Sequence, residues 1–126
     1  MTLTPFLMFT GQAAEAMDLY VGTFPDAELL HLDRADDGTV AGARFRIADQ
    51  EIRCIDSPPV HDFTFTASFS FFYDCPDAAT LDAIFGRLSD EGSVLMPPDA
   101  YPFADRFAWV SDRFGVSWQL SFVAGG

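Results

Sequence analysis

Apolar and polar residues alternate without a break near the end of the chain, over residues 116–122. The apolar positions are Val116, Trp118, Leu120 and Phe122. The polar positions between them are Ser117, Gln119 and Ser121. Successive side chains of a β-strand point to opposite faces, so this pattern predicts a strand with one apolar face and one face of small polar groups. Such a polar row can form the floor of a small-molecule pocket.

Two other segments, residues 13–24 and 76–91, repeat their apolar residues at spacings of three and four, which predicts two amphipathic helices. Asp74 or Asp77 can cap the second helix, and Gly92 fits its end. Strands are predicted at residues 4–9, 27–35, 39–48, 51–57, 65–73, 93–96, 103–111 and 116–122. Each half of the chain therefore has the order strand, helix, strand, strand, strand.

The two halves can be aligned by pattern. The alignment pairs residues 5–9 with 68–72, an offset of 63, and residues 54–55 with 119–120, an offset of 65. A helix after each first strand must cover one sheet face and leave the other face free. We therefore predict an α+β fold in one domain, residues 1–126, built from two βαβββ modules of about residues 1–62 and 63–126. Their curved mixed sheet is expected to surround a shared cavity.

Composition narrows the possible partners and location. The net charge is −12 with 7 basic residues, which argues against nucleic acid and against anionic membrane surfaces as partners. No apolar run approaches the ~20 residues that a membrane-spanning helix needs. No pattern of a secretory signal is visible, so a cytoplasmic location is expected. Cys54 and Cys75 do not form a CxxC pair, and buried free thiols are expected rather than a disulfide.

Three blocks of sequence carry a resemblance to a known family. They are PFLMF (5–9) with GQA (11–13) and Tyr20, CIDSP (54–58) with HDFTFT (61–66), and FAWV (107–110) leading into DRFGVSWQL (112–120). These blocks resemble the vicinal oxygen chelate superfamily, which includes glyoxalase I, extradiol dioxygenases and fosfomycin resistance proteins. The third block is the most specific, and the resemblance covers essentially the whole chain.

Within that superfamily the chain looks like the PhnB-like branch, often described as a 3-demethylubiquinone-9 3-methyltransferase domain. The sequence has no glycine-rich strand-to-helix turn of the kind that binds S-adenosylmethionine, and the chain is short for that methyltransferase fold. The resemblance also implies a homodimer, since chains of this superfamily often complete their sites across modules or subunits.

The resemblance implies where a metal ion would be bound. Metal-dependent members bind a divalent ion through the first and fourth strands of each module, and the corresponding positions here are Pro5, Cys54, Ser68 and Gln119. Pro5 offers no ligating side chain, and a neutral serine is a poor ligand. One thiolate and one amide do not make a convincing site. We therefore expect no bound metal and no other cofactor.

A ligand pocket is expected on the concave sheet face. Its predicted residues are Cys54, Asp56, Ser68, Ser70, Ser117 and Gln119. Gln119 is the strongest of these candidates, because an amide among aromatic neighbours needs a ligand, water or a neighbouring strand to bond. The aromatic residues of these strands have the parity opposite to that of the polar pocket residues and are expected to pack under the helices. They are Phe69, Phe71, Trp118 and Phe122.

Several candidates keep two interpretations. Cys54 is either a packed, inert thiol or a nucleophile with a lowered pKa. Asp56 lies either at the pocket rim or in a turn where it bonds local backbone. His61, next to Asp62, is either a surface loop residue or an oriented general base. His31 is expected to be a partly buried packing residue.

The sequence favours a small-molecule binding protein or a metal-independent enzyme of the vicinal oxygen chelate fold. One alternative is a metal-dependent lyase or dioxygenase of the same superfamily, and the missing ligands count against it. Another is a non-catalytic protein that sequesters a hydrophobic compound. The sequence identifies neither the substrate nor catalytic residues, because one apolar pocket with a few polar groups suits many compounds.

Overall fold

A computed structural model describes residues 1–125, and the chain divides into two compact units, Met1–Asp62 and Phe63–Gly126. The first unit contains β1 (Phe6–Phe9), α1 (Ala13–Thr23), β2 (Ala27–Arg34), β3 (Val40–Ile47) and β4 (Gln50–Asp56). The second contains β5 (Ser70–Asp74), α2 (Ala78–Leu88), β6 (Ser93–Tyr101), β7 (Ala104–Ser111) and β8 (Ser117–Phe122). The predicted α+β class with two βαβββ modules is confirmed.

Each unit has one four-stranded mixed sheet with the same topology. The strand order is β1-β4-β3-β2 in the first unit and β5-β8-β7-β6 in the second. The first and last strands of each unit lie side by side and parallel, whereas the other neighbouring pairs are antiparallel. The last strand therefore has a neighbour on both sides, and residues from three strands meet along it.

The core of the first unit lies between α1 and one face of its sheet. The buried helix residues are Ala13, Ala16, Met17, Leu19 and Tyr20. The buried sheet residues include Leu7, Phe9, Ala43, Phe45, Ile47, Ile52 and Cys54. Burial alternates along β3 and β4, as expected for strands with one covered face. The ring centroids of Tyr20 and Phe45 lie 5.8 Å apart, which joins helix and sheet.

The core of the second unit is built in the same way. Leu81, Ile84 and Leu88 of α2 are buried, together with sheet residues that include Ala108, Val110, Trp118 and Leu120. The ring centroids of Phe71 and Trp118 lie 5.0 Å apart with the rings tilted by 32°, on the parity that the sequence assigned to the helix side. Each large apolar side chain buried in this way contributes about 1.5–3 kcal/mol.

The turn between β7 and β8 explains the most specific sequence block. The Asp112 carboxylate is buried and accepts hydrogen bonds from the backbone N–H groups of Phe114 (2.9 Å) and Val116 (3.1 Å). Its second oxygen accepts from the Trp118 indole Nε1 at 2.9 Å. Gly115 has a φ of 93°, which favours glycine. The block is thus accounted for by a turn that fixes the register of β8.

Several predicted boundaries differ from the structure. Strand β5 begins at Ser70, not at residue 65, and β6 continues to Tyr101 through the Pro97-Pro98 pair that the sequence predicted as a loop. Prolines are tolerated there because β6 is an edge strand with register shifts between Met96 and Asp99. Gly92 lies beyond the end of α2, where a Cβ atom would stand 2.3 Å from the Ser111 carbonyl oxygen. Close backbone approach, not helix capping, requires this glycine.

Of the two proposed caps for α2, Asp77 is the residue that caps it, accepting from the Thr80 N–H at 2.7 Å. Both cysteines, Cys54 and Cys75, are buried thiols outside any disulfide, as expected. Neither helix within residues 1–125 is long and apolar enough to cross a membrane.

Candidate functional site

The uncovered sheet face of the first unit carries one row of residues that crosses all four strands. Phe6 of β1 is paired with Arg53 of β4, Arg53 with Arg44 of β3, and Arg44 with His31 of β2. Paired residues in neighbouring strands place their side chains on the same face. We call these four residues the arginine row.

The arginine row lines an open cleft of ≈ 500 Å³. Ile55 and Gly42 also border the cleft, and Gly42 leaves space on β3 because it has no side chain. The Arg44 and Arg53 side chains are 41% and 55% exposed. The cleft therefore combines apolar surface with two accessible guanidinium groups.

Glu51 of β4 stands between the two arginines. Its Oε1 lies 3.0 Å from Arg44 Nη1, and its Oε2 lies 3.7 Å from Arg53 Nε. Among residues 1–125, Glu51 is the one carboxylate within 4.0 Å of either guanidinium. Two positive charges thus share one negative charge in a chain whose net charge is −12.

Arg46, on the same face, is bound differently. It pairs with Glu28 at 3.1 Å and donates hydrogen bonds to the backbone carbonyls of Asp26 (3.2 Å) and Ala48. These contacts tie the start of β2 to the turn after β3. Its role is therefore structural, in contrast to Arg44 and Arg53.

Cys54 lies on the helix-covered side of β4, with 0% of its surface exposed. Burial raises the pKa of its thiol to about 12, and the negative charge of Asp56 adds to this rise. The strand segment around Cys54 borders the cleft, but the side chain packs with the core. Of the two interpretations, the structure favours the packed, inert thiol, since a nucleophilic cysteine needs a lowered pKa.

Cys54 and Gln119, which the pattern alignment matched, lie on different kinds of sheet face within their own units. Cys54 is paired with Leu7 on the helix-covered face of β4. Gln119 is paired with Phe72 on the uncovered face of β8. The pattern alignment therefore matched residues of opposite parity, and a one-residue slip is enough to move a side chain to the other face.

Asp56 bonds backbone in two distant segments. Its Oδ1 accepts from the N–H groups of Gly11 (3.0 Å) and Ala13 (2.9 Å), and its Oδ2 accepts from Val40 N–H (2.9 Å). It also borders a second cleft of ≈ 350 Å³ beside Asp37. Because its oxygens hold the beginnings of α1 and β3, Asp56 has a clear structural role that neither sequence interpretation described.

In the second unit, Ser70, Ser117 and Gln119 lie together on the uncovered sheet face. The hydroxyl oxygens of Ser70 and Ser117 are 2.6 Å apart, and Trp109 Nε1 donates to Ser117 Oγ at 2.8 Å. Ser117 is only 2% exposed, so the hydroxyl at the centre of this network is buried, whereas Ser70 and Trp109 are partly exposed. Gln119 is partly exposed between its strand partners Phe72 and Trp109.

An aromatic cluster borders that polar network. Phe107 is at its centre, with ring centroids 4.9 Å from Phe103, 5.9 Å from Tyr101 and 6.3 Å from Phe72. Phe103 and Phe72 remain 59% and 58% exposed. The pairing of Phe107 with Ser121 assigns it to the uncovered face.

Two of the remaining candidates, Ser68 and His61, lie outside these surfaces. Ser68 is exposed in the segment before β5, where its hydroxyl lies 2.6 Å from that of Thr66. His61 is exposed in the loop after β4. The expectation that His31 is partly buried is wrong, because β2 is an edge strand and His31 is exposed in the arginine row.

The donors at the positions implied for a metal do not fit such an ion. In the first unit Pro5 has no donor, and the Cys54 thiol is buried with a pKa of about 12. In the second unit Ser68 shares its hydroxyl with Thr66, and Gln119 offers one neutral amide. Within residues 1–125, neither unit has a group of three or more His, Cys, Asp or Glu side chains placed to hold a metal.

Sequence reasoning missed the arginine row. The signal was present in the alternation of β3, where Arg44 and Arg46 interleave with Ala43, Phe45 and Ile47. That parity assigns the arginines to the uncovered face. The pairing of Arg44 with Arg53 and His31 depends on strand register, which the sequence did not give.

A model of the family described as 3-demethylubiquinone-9 3-methyltransferase matches residues 1–121. A solved structure of a Bacillus cereus PhnB protein, which bears the same methyltransferase description, is 40% identical with a TM-score of 0.93. The match covers 98% of this chain and 100% of that one.

Two further similarities extend the comparison. Protein YjdN of Escherichia coli K12 is 27% identical over 143 positions, covering 98% of this chain and 96% of YjdN. The fosfomycin resistance protein FosX of Mesorhizobium loti has a TM-score of 0.68 at 13% identity, covering 96% of this chain and 92% of FosX. The similarity to FosX concerns the fold alone.

Proposed function

The chain belongs to the 3-demethylubiquinone-9 3-methyltransferase family, within the PhnB-like branch of the vicinal oxygen chelate superfamily, and from this premise we propose that it binds a small organic molecule. The ligand lies in the cleft of the arginine row and is either converted or sequestered there, without a metal ion. The proposal also keeps two expectations from the sequence, a homodimer and a cytoplasmic location. Two buried cysteine thiols outside any disulfide fit a reducing compartment.

The cleft is the observation that carries this proposal. Its volume of ≈ 500 Å³ is within the range of small-molecule sites, about 300–1,000 Å³. Phe6 and Ile55 supply apolar surface, and Arg44 and Arg53 supply directional donors. Apolar walls with a few convergent polar groups are typical of ligand sites.

Neither methyl transfer nor metal chemistry is part of the proposal. The family description names a methyltransferase, but the N–H groups of Gly11 and Ala13 at the start of α1 are bonded to Asp56. Such amides would otherwise be donors for a cofactor phosphate or carboxylate. The donors at Pro5, Cys54, Ser68 and Gln119 do not fit a divalent ion, so the metal-dependent lyase or dioxygenase has no supporting observation.

Gly42 allows a direct test of the cleft. A Cβ atom built at Gly42 meets no atom within 4 Å, and its φ is not in the positive region, so a side chain can start there without backbone strain and extend into the cleft. We expect Gly42→Leu to fold at least as well as wild type, because glycine weakens a strand. The measurement is a fragment screen by protein NMR, with Gly86→Ala on α2 as the control.

The expected result is that fragments shift the signals of residues 6, 42, 44 and 53 in wild type and in Gly86→Ala, and that Gly42→Leu abolishes these shifts. Unchanged binding by Gly42→Leu would place the ligand elsewhere. The absence of any binding fragment would reject the proposal.

Gln119 is retained as the proposed ligand contact of the second unit. Gln119 is partly exposed. In contrast, the hydroxyls of Ser70 and Ser117 bond each other, and Ser117 Oγ also accepts from Trp109 Nε1. We expect Gln119→Leu to weaken binding of a fragment that shifts the signals of Phe72 and Gln119 in the same screen, without lowering the melting temperature. Leu is similar in size and removes only the amide. Binding equal to wild type would remove Gln119 from the site.

A further inference from the structure

The charges around the cleft indicate the class of ligand. Arg44 and Arg53 are directly opposed in neighbouring strands, an arrangement in which like charges destabilise a sheet. Glu51 offsets this repulsion for both residues, but it hydrogen-bonds only Arg44. Its 3.7 Å approach to Arg53 Nε is too long for a hydrogen bond. The Arg53 guanidinium therefore keeps unused donor capacity toward the cleft.

Other acids on this face do not neutralise the pair. Glu28 is engaged with Arg46. Asp33 of the edge strand β2 is paired with Gly42 and is not among the residues that line the cleft. An anion that reaches Arg53 and Arg44 would meet two planar guanidinium groups, whose fork of N–H donors matches carboxylate and phosphate oxygens.

The apolar part of the row gives the anion a preferred shape. Phe6 is the β1 partner of Arg53 and remains 55% exposed. Ile55 comes two residues after Arg53 in β4 and therefore lies on the same face. An aromatic or aliphatic body attached to the anionic group can lie on these side chains. His31 at the other end of the row adds a further polar group beside Arg44.

We propose that the arginine row binds an oxyanion, a carboxylate or a phosphate monoester, carried by a small apolar body, and that Glu51 competes with this ligand for Arg44 and Arg53. The inference rests on the proposed function, because it names the ligand class of the same cleft. Binding frees Glu51 from Arg44 and replaces its carboxylate by the oxyanion of the ligand.

Isothermal titration with benzoate, phenyl phosphate, inorganic phosphate and neutral benzamide tests the inference. Benzoate or phenyl phosphate should bind at least about tenfold more tightly than benzamide, since charge-assisted hydrogen bonds are about twice as strong as neutral ones. Comparing benzoate with phenyl phosphate separates the two oxyanions. Weaker binding of inorganic phosphate supports the apolar part of the site.

Variants give opposite expected signs. Arg44→Gln and Arg53→Gln should each weaken binding of the preferred anion about tenfold. Glu51→Gln should strengthen it several-fold, because the competing carboxylate is lost. Matched controls are Arg87→Gln on α2 and Glu15→Gln on α1, which change the net charge equally and lie outside the cleft. Circular dichroism verifies the fold of each variant.

The outcomes separate the two proposals. Equal binding of benzamide and the anions, or weaker anion binding by Glu51→Gln, overturns the oxyanion inference and leaves the ligand cleft in place. No binding of any probe, together with a failed fragment screen, rejects both. Stronger anion binding by Glu51→Gln with weaker binding by Arg53→Gln supports the inference.

Discussion

The Cys54 thiol lies beneath α1, surrounded by core residues and out of contact with water. Loss of hydration penalises its thiolate, which raises the thiol pKa from 9.0 to about 12. At the scale of this single residue, burial decides the chemistry. Near neutral pH the side chain is a small, protonated, apolar group, and it stabilises the fold through packing.

Cys54 gives a pH dependence of stability with a defined sign. The unfolded thiol ionises near its ordinary pKa of 9.0, before the folded one does, so the free energy of unfolding falls as the pH rises from about 9 toward 12. For this group alone the fall is about 1.4 kcal/mol between about pH 8 and about pH 10. Urea unfolding measures the free energy of unfolding of wild type and Cys54→Ala at both pH values. Between the two pH values this free energy should fall more in wild type than in the variant, by the amount given above.

The larger fall in wild type reports ionisation of the thiol alone, because the packing that Cys54→Ala loses is the same at both pH values. Equal pH slopes for the two proteins would mean that the folded thiol ionises normally. Rapid alkylation of Cys54 by iodoacetamide in the native protein near pH 8 would lead to the same conclusion.

At the scale of secondary-structure elements, the two helices begin in different ways. Helix α2 is capped locally by Asp77, whereas Gln12 at the start of α1 makes no side-chain cap. Asp56, 43 residues away from Ala13, accepts the N–H groups of this helix start and also that of Val40. The start of α1 therefore depends on tertiary structure, and the start of α2 does not.

This difference predicts unequal effects of two substitutions. Asp56→Ala leaves three backbone N–H groups without their acceptor and should lower the free energy of unfolding by about 2–3 kcal/mol. Asp77→Ala removes one exposed cap and should have a smaller effect. Urea denaturation monitored by circular dichroism measures both. A larger loss for Asp77→Ala would contradict the role given to Asp56.

The effect of Asp77 also has a pH signature. Hydrogen bonds from Thr80 hold the pKa of the Asp77 carboxyl below its ordinary value of 3.8. Its contribution to stability is therefore complete above that value and is lost as the pH falls through the lower folded pKa. The difference between wild type and Asp77→Ala should shrink under those acidic conditions.

The β7–β8 turn depends on one buried carboxylate in a similar way. Asp112→Ala leaves the N–H groups of Phe114, Val116 and the Trp118 indole without this acceptor, and should cost about 3 kcal/mol or more. Asp112→Asn keeps one oxygen for the backbone groups and should cost less. Exposed Asp90→Ala is the control. Chemical denaturation followed by Trp fluorescence measures the stability of each variant. Equal stabilities of Asp112→Ala and wild type would show that the turn does not depend on Asp112.

At the scale of the whole molecule, charge and apolar surface are unevenly distributed. Three of the 7 basic residues, Arg44, Arg46 and Arg53, lie on one sheet face although the chain carries 19 acidic residues. Strand β2 is an edge strand and exposes Leu29, Leu30 and Leu32. Exposed apolar residues on an edge strand are a common basis for association between chains.

The expected homodimer can be tested on this strand. Sedimentation at micromolar concentration should give twice the monomer mass, and Leu30→Arg should shift the equilibrium toward monomer, because a charge then replaces apolar contact area. Val60→Arg is the control, since Val60 is 75% exposed and lies in a loop. A monomer at high micromolar concentration would reject the dimer. Dissociation by Val60→Arg alone would move the interface away from β2.

The sequence by itself determined the order of the elements and which residues of one strand share a face. Both are local properties: a spacing of three and four residues predicts the helices, and alternation assigned Trp118 and Phe71 to the covered side of β8 and β5. Turn and capping residues were predicted in part, because Asp77 acts on its own helix and Asp56 does not.

Only the tertiary structure decided which strands are neighbours and in which register. The arginine row takes one residue from each of four strands, and a register change of one residue would separate Arg44 from Arg53. The same sensitivity places Cys54 on the covered face of its sheet, although the pattern alignment matched it with Gln119, which lies on the uncovered face of its own sheet. Residues distant in the chain meet through packing and backbone hydrogen bonds between strands, and no local pattern records those distances.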